Sequence, residues 1–275
     1  MKTVHFVRHG ETEQNKDGIW QGHTNTQLSK TGKAQAKLLS KRINLKNQTV
    51  FTSDLARAKE TAYFLSDSPN VRENLREINV GDFTGKSVKE TYSNNLEIFD
   101  ALQYDTYVFP NGESVQEFKL RVQKEVDHIF DNIDEDSECV VVTHGFFIGT
   151  AIGLVLGFNQ YPYPIGNIQN TSISTVIKRD SVMQVNKFND AIHLPNSYID
   201  YPAKDKSRIL TFIRHGQTDS NTQGVWQGHV DNPLNTYGVE TAKQLKGKFS
   251  NYDLYLSSSF KRAVSYTHLR AHETR

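Results

Sequence analysis

The chain is poor in cysteine, in long apolar runs and in any excess of charge. One cysteine in 275 residues, Cys139, excludes an intramolecular disulfide and a cysteine-based zinc cluster. Flanked by Val140, Val141 and Val142, it reads as a buried structural thiol rather than a reactive one. No stretch approaches the ~20 apolar residues of a membrane span. The N-terminal apolar run is broken by His5 and Arg8, too early for a signal peptide. No membrane partner is expected, and a cytoplasmic location follows by default. With 32 basic and 31 acidic residues the net charge is +1, which gives no reason to expect a nucleic-acid partner. Any attraction for a charged ligand must therefore be local. At 36% hydrophobic and 23% charged, the composition is that of a globular protein able to bury a core.

What the sequence does contain is an internal repeat. TVHFVRHGETEQNKDGIWQGHTNTQLSKTG returns as ILTFIRHGQTDSNTQGVWQGHVDNPLNTYG at a constant offset of 206 residues, His9 matching His215 and Trp20 matching Trp226. The match continues into the next helix, where Ala36, Leu39 and Ile43 correspond to Ala242, Leu245 and Phe249 at helical spacing. The organisation expected is a first domain over 1–195, a polar linker over 196–206 and a second, partial copy over 207–264. The final stretch, 265–275, abandons the pattern of ARAKETAYFL. It reads as an artefactual tail without function, a natural frameshift being the alternative.

Within the first copy, strands and helices alternate. Val4 to Val7, Val50 to Ser53 and Cys139 to Val142 read as buried strands. A helix is expected from about Thr31, which would cap it. Another carries the stripe Leu55, Ala58, Ala62, Leu65. A longer one follows Gly112 with Val115, Phe118, Val122, Val126, Ile129 and Ile133 facing inward. The fold class expected is α/β, a three-layer αβα sandwich around a mostly parallel sheet.

Chemistry concentrates where those strands end. Arg8-His9-Gly10-Glu11-Thr12 follows the first strand, and Thr143-His144-Gly145 follows another. In open α/β sheets ligands collect at the carboxyl ends of strands. A guanidinium offers a bidentate fork for phosphate and an imidazole a nucleophilic nitrogen. Arg57, at the start of a helix after a strand, can aim at the same crevice. Glu77 lies in the turn-rich segment LREINVGDFTGKS. Each alone has a mundane reading, an exposed loop histidine or a solvated glutamate. Together they point to one site. Glu113 and Ser114 read as caps of the long helix, and His5, His23, His128 and His193 as structural or surface residues, with His23 nearest the site. His268 and His272 have helical spacing but no third ligand, so no metal site is expected.

RHGET at 8–12, Asn15, WQGH at 20–23, SDLARAKETA around Arg57, LREINVGDFTGKS around Glu77, PNGES at 110–114 and VTHG at 142–145 together resemble the histidine phosphatase, or phosphoglycerate-mutase-like, superfamily. The resemblance covers essentially the whole first copy. It implies that His9 attacks phosphorus and becomes a phosphohistidine, with Arg8, Arg57, His144 and Asn15 around the phosphoryl oxygens. Glu77 would act as general acid and base, while Gln21, Gly22 and Gly145 line the pocket. It implies no metal and no cofactor, and a small phosphorylated metabolite as substrate. Hydrolysis is favoured over mutase transfer because no long insertion follows the Glu77 segment. The second copy keeps Arg214, His215, Asn221 and Arg262. Counterparts of Glu77 and His144 would fall near 283 and 350, outside the 275 residues, so that copy is expected to be inactive or a non-catalytic phosphate-binding module.

Overall fold

The computed structural model describes residues 1–43, 48–94, 107–158, 167–195, 211–245 and 254–268. The chain divides into two units, Met1–Ser197 and Tyr198–Arg275. In the first, β1 (Lys2–Arg8), β2 (Thr49–Thr52), β3 (Asn70–Val71), β4 (Glu138–Thr143), β5 (Ile173–Arg179) and β6 (Val182–Asp190) form one six-stranded sheet in the order β3-β2-β4-β1-β5-β6. The four strands β1 to β4 are parallel, and β5 runs against both its neighbours, β1 and β6. The helices of this unit are α1 (Glu13–Lys16), α2 (Lys30–Arg42), α3 (Ala56–Tyr63), α4 (Val88–Asn94), α5 (Val115–Asn132) and α6 (Gly145–Val155).

The continuous apolar run of β4 explains the layering. Successive side chains of a strand point to opposite faces, so a strand covered on both sides must be apolar throughout. Cys139 and Val141 join one cluster with Val4 and Phe6 of β1, Phe118 and Val122 of α5, and Phe147 and Ile148 of α6. Val140 and Val142 join another with Val7, with Leu39 of α2 and with Ala58 and Ala62 of α3. Helices thus cover both faces of the sheet, the three-layer arrangement expected. Cys139 is fully buried, and that burial pushes its thiol pKa up to about 12.

Three local readings need correction. The cap of α2 is Ser29, whose hydroxyl accepts from Gly32 N at 3.0 Å, while Thr31 lies inside the first turn. Ser114 does cap α5, in a capping box with Glu117, but Glu113 is no cap and instead pairs with Arg121. Strands β5 and β6 were not anticipated. Phe109 is buried in the core, with Tyr107 edge-on at 5.1 Å.

Two glycines anchor the start of the site. A Cβ on Gly10 would lie 2.6 Å from Gly32 O, and one on Gly32 would lie 2.1 Å from Glu11 O. Neither position admits a side chain, which seats the first turn of α2 against the residues that follow β1. The second unit repeats this packing, with 2.6 Å from Gly216 to Gly238 O and 2.1 Å from Gly238 to Gln217 O. Its helices are α7 (Asp219–Thr222), α8 (Thr236–Lys243) and α9 (Lys261–His268), and no strand occurs among its described residues. The linker 196–206 lies outside the described residues, as does the tail beyond His268. Among the described residues no helix is long and apolar enough to cross a membrane.

Candidate active site

Sheet register brings the two histidines together. Strands β1 and β4 are neighbours with Arg8 opposite Thr143, so the residues that follow, His9 and His144, leave the sheet side by side. His9 N donates to Thr143 O at 2.9 Å, and the ring centroids of His9 and His144 stand 5.1 Å apart. Both residues are buried. His144 is also the residue preceding α6, and Arg57 lies in the first turn of α3, immediately beyond β2, which pairs with the other edge of β4. Two helix N-termini and the end of β1 therefore converge on one crevice, a setting that favours anions.

The hydrogen bonds fix what each group can do. His9 Nδ1 lies 2.7 Å from Gly10 O. A carbonyl can only accept, so Nδ1 carries the proton and Nε2 keeps its lone pair. Arg57 donates through Nη1 to Thr24 O at 2.7 Å and through Nη2 to Gly22 O at 2.9 Å. Arg8 donates through Nη1 to Ile168 O. That leaves Arg8 Nε, Arg57 Nε and both ring nitrogens of His144 buried with no hydrogen-bond partner. Buried polar groups are normally paired, so a cluster of unpaired ones calls for a ligand.

Burial, then the charges of Arg57 and Arg8, hold the His9 pKa well below the ordinary histidine value. The same burial and the Arg57 charge, with His9 and Arg8 behind them, do so for His144. Both rings are neutral at physiological pH. Arg57 is lowered to about 10 by burial and remains charged there. Glu77 Oε2 accepts from Phe146 N at 3.2 Å and Oε1 from Ile78 N at 3.1 Å. Desolvation raises its carboxyl above the ordinary range against the opposing pull of those amides, Arg57 and Arg8.

The remaining residues named from sequence gather around this centre in less direct ways. Asn15 completes a capping box with Thr12, and its Oδ1 also accepts from Asn170 Nδ2 at 3.3 Å. Asn170, which sequence reasoning missed, donates to His9 O at 2.9 Å. Gln21 Oε1 accepts from Thr12 Oγ1 and Thr26 Oγ1, at 3.0 and 2.7 Å. Gly22 contributes the carbonyl that holds Arg57. A Cβ on Gly145 would lie 3.5 Å from Arg8 Nε, so this first residue of α6 packs directly on that guanidinium. Among the described residues no three His, Cys, Asp or Glu side chains cluster as a metal site would require.

The second unit reproduces half of the arrangement. His215 Nδ1 lies 2.7 Å from Gly216 O, and Thr218 and Asn221 form the same capping box. Arg262 donates to Val230 O at 2.6 Å and Gly228 O at 3.0 Å, the counterparts of Thr24 and Gly22. A cleft of about 380 Å³ is lined by Arg214, His215, Asn221, Trp226, Gln227 and Arg262.

The fold and this crevice define an α/β protein with paired imidazoles and guanidiniums at the carboxyl end of a parallel sheet. Residues 4–191 and 210–274 match the histidine phosphatase superfamily (branch 1), and the chain belongs to that family. It is 30% identical over 199 residues to the metal-independent phosphoserine phosphatase of Arabidopsis thaliana, covering 69% of this chain and 82% of that protein. It is 28% identical over 213 residues to an Enterobacter sp. (strain 638) protein named "Probable phosphoglycerate mutase GpmB", covering 75% of this chain and 99% of that one. Among solved structures, a phosphoserine phosphatase mutant of Entamoeba histolytica in complex with phosphoserine is similar, with a TM-score of 0.60 and 27% identity, covering 71% of this chain and 100% of that one.

Proposed function

We propose that the first unit hydrolyses small phosphomonoesters without a metal ion, through a phosphohistidine on His9. In the first step His9 Nε2 attacks phosphorus, the N–P bond forms and the ester P–O bond breaks. The proton of Glu77 goes to the leaving alkoxide. In the second step water attacks phosphorus, Glu77 takes up its proton, the N–P bond breaks and inorganic phosphate leaves. The single observation that carries this reading is the set of unpaired buried nitrogens on Arg8, Arg57 and His144 around a neutral His9. Charge on a transferring phosphoryl group is spread over its oxygens, and donors already aimed at it need no reorganisation. The raised Glu77 carboxyl supports the acid role, because a proton donor must hold its proton near working pH. Relatives named as phosphoserine phosphatases support a small phosphorylated alcohol as substrate.

A second reading, transfer of the phosphate back to a bound substrate, is favoured by the relative named as a phosphoglycerate mutase. Incubation with 3-phosphoglycerate separates the two. Hydrolysis releases inorganic phosphate and leaves the isomer pool untouched. Appearance of 2-phosphoglycerate without phosphate release would replace the hydrolase with a mutase. For the second unit we infer a phosphate-binding module without turnover, joined to the first domain (1–195) by the linker 196–206. Its cleft, lined by Arg214, His215, Asn221 and Arg262, supports that reading. A cytoplasmic setting suits small-metabolite chemistry of this kind.

A further inference from the structure

Glu77 lies between two short 3-10 turns, Glu73–Leu75 and Gly81–Phe83, and side chains hold the backbone that leads to it. Four consecutive carbonyls each meet a side-chain donor. Asn74 O and Arg76 O accept from Arg121 Nη1 at 2.8 and 2.9 Å, and Leu75 O accepts from Thr143 Oγ1 at 2.7 Å. Glu77 O takes two donors, Arg121 Nη2 at 3.2 Å and His23 Nε2 at 2.7 Å. Arg121 is itself fixed by a bidentate pair with Glu113, Nε to Oε1 at 2.9 Å and Nη2 to Oε2 at 2.8 Å. Glu113 Oε2 also accepts from Asn79 N at 3.2 Å, and Glu113 N donates to Asn79 O at 2.8 Å. A planar guanidinium with a bidentate partner has little freedom left to lose, which makes it an effective clamp.

His23 is the second donor to the Glu77 carbonyl. Its flanking residues Gly22 and Thr24 supply the two carbonyls that hold Arg57. Three consecutive residues therefore connect the Arg57 guanidinium to the Glu77 backbone. The carbonyl acceptor requires the proton to sit on His23 Nε2. Burial lowers the His23 pKa, so the ring makes this bond as a neutral donor and adds no charge beside the carboxyl. In the second unit Arg262 holds Gly228 O and Val230 O in the same way, and the intervening His229 packs edge-on against Phe260 at 6.2 Å.

We propose that His23 and Arg121, with Glu113 behind it, are positioning residues for proton transfer: they grip the carbonyl of Glu77 with two donors and set its carboxyl relative to the phosphate-facing arginines. The proposal rests on Glu77 being the general acid. A positioned acid matters in proportion to the leaving group's need for a proton. An alkoxide needs one, and p-nitrophenolate does not.

The test uses the full chain and compares kcat/KM for phosphoserine with that for p-nitrophenyl phosphate. Glu77→Gln serves as the reference and is expected to lose about 10²–10⁴-fold on phosphoserine and far less on the aryl ester. His23→Leu is expected to lose on the order of tenfold on phosphoserine, with the aryl ester within about twofold, because a small displacement of a catalytic group suffices for such a loss. Arg121→Lys, which keeps the charge but not the fork, should show the same leaving-group bias. His23→Gln, which restores an amide donor, should recover most of the activity. Equal losses on both esters, or none on either, while Glu77→Gln keeps its bias, would overturn the positioning role alone. Absence of bias in Glu77→Gln would overturn the acid assignment and the inference with it.

Discussion

The two copies carry the same local structure and differ in what surrounds it. Trp20 and Trp226 occupy equivalent places in the WQGH loop, yet Trp20 is 7% exposed and Trp226 98%. Phe6 and Phe212 differ in the same way, 0% against 90%. Trp20 packs on Phe109 and Phe146, at 5.9 Å from the latter. Meanwhile the His215–Gly216 bond, the Thr218 capping box, the Arg262 carbonyl pair and the Gly216–Gly238 contact all persist in the second copy. The geometry that the copies share is thus written in short-range sequence, within some fifty residues of chain. The buried carboxyl of Glu77, the rings that cover Trp20 and the second imidazole, His144, all come from residues beyond that stretch.

That contrast can be broken first at the nucleophile. His9→Ala in the full chain should lower phosphomonoester turnover by at least about 10³-fold, as removal of a covalent nucleophile generally does, while His215→Ala should leave it within about twofold. Comparable losses from both, in a steady-state phosphate-release assay, would mean that the second copy takes part in turnover. Next comes the acid. For its donor role Glu77 must be protonated, and its pKa is raised, so kcat/KM on an alkyl ester should decline as pH rises through that raised value. The proposed attack by His9 needs the neutral ring, which its depressed pKa favours, so activity should persist below the ordinary histidine value of 6.5. A profile that instead collapsed near pH 6.5 from the alkaline side would contradict the neutral-nucleophile assignment.

Stability effects should be smaller and equally asymmetric. Trp20→Ala should destabilise the first unit by about 3–5 kcal/mol, the range for large buried aromatics. Trp226→Ala should change stability by no more than ~0.5 kcal/mol, as surface substitutions do. Urea unfolding followed by circular dichroism distinguishes them, and equal shifts would show that Trp226 is covered in solution. The smallest signal is Cys139. Buried in the core with its thiol pKa pushed up to about 12, it should react with a thiol reagent only as fast as the first unit opens. Rapid labelling of the native chain would contradict that packing.

How much of this could be read from the residues depends on range. Strands β1 and β4 carry short apolar runs, and α3 and α5 carry clean three-and-four stripes. His9 and His144 were legible because each ends such a run. Strands β5 and β6 were not: Val182–Asp190 is an edge strand with little buried on either face, so neither an apolar run nor a firm alternation marks it. Arg121 looked like any polar position on the outer face of a helix. Its bonds to three carbonyls some forty-five residues away leave no local trace. Glu113 was read as a cap because of where it stands in the chain, whereas its partner lies two turns further on.

During turnover the phosphate should be carried on His9. The full chain should be mixed rapidly with p-nitrophenyl phosphate, quenched in base, digested, and its acid-labile phosphopeptides located by mass spectrometry. Phosphohistidine on the peptide containing His9, and none on that containing His215, is the predicted result. Phosphate on His215, or turnover with neither histidine labelled at any quench time, would contradict it.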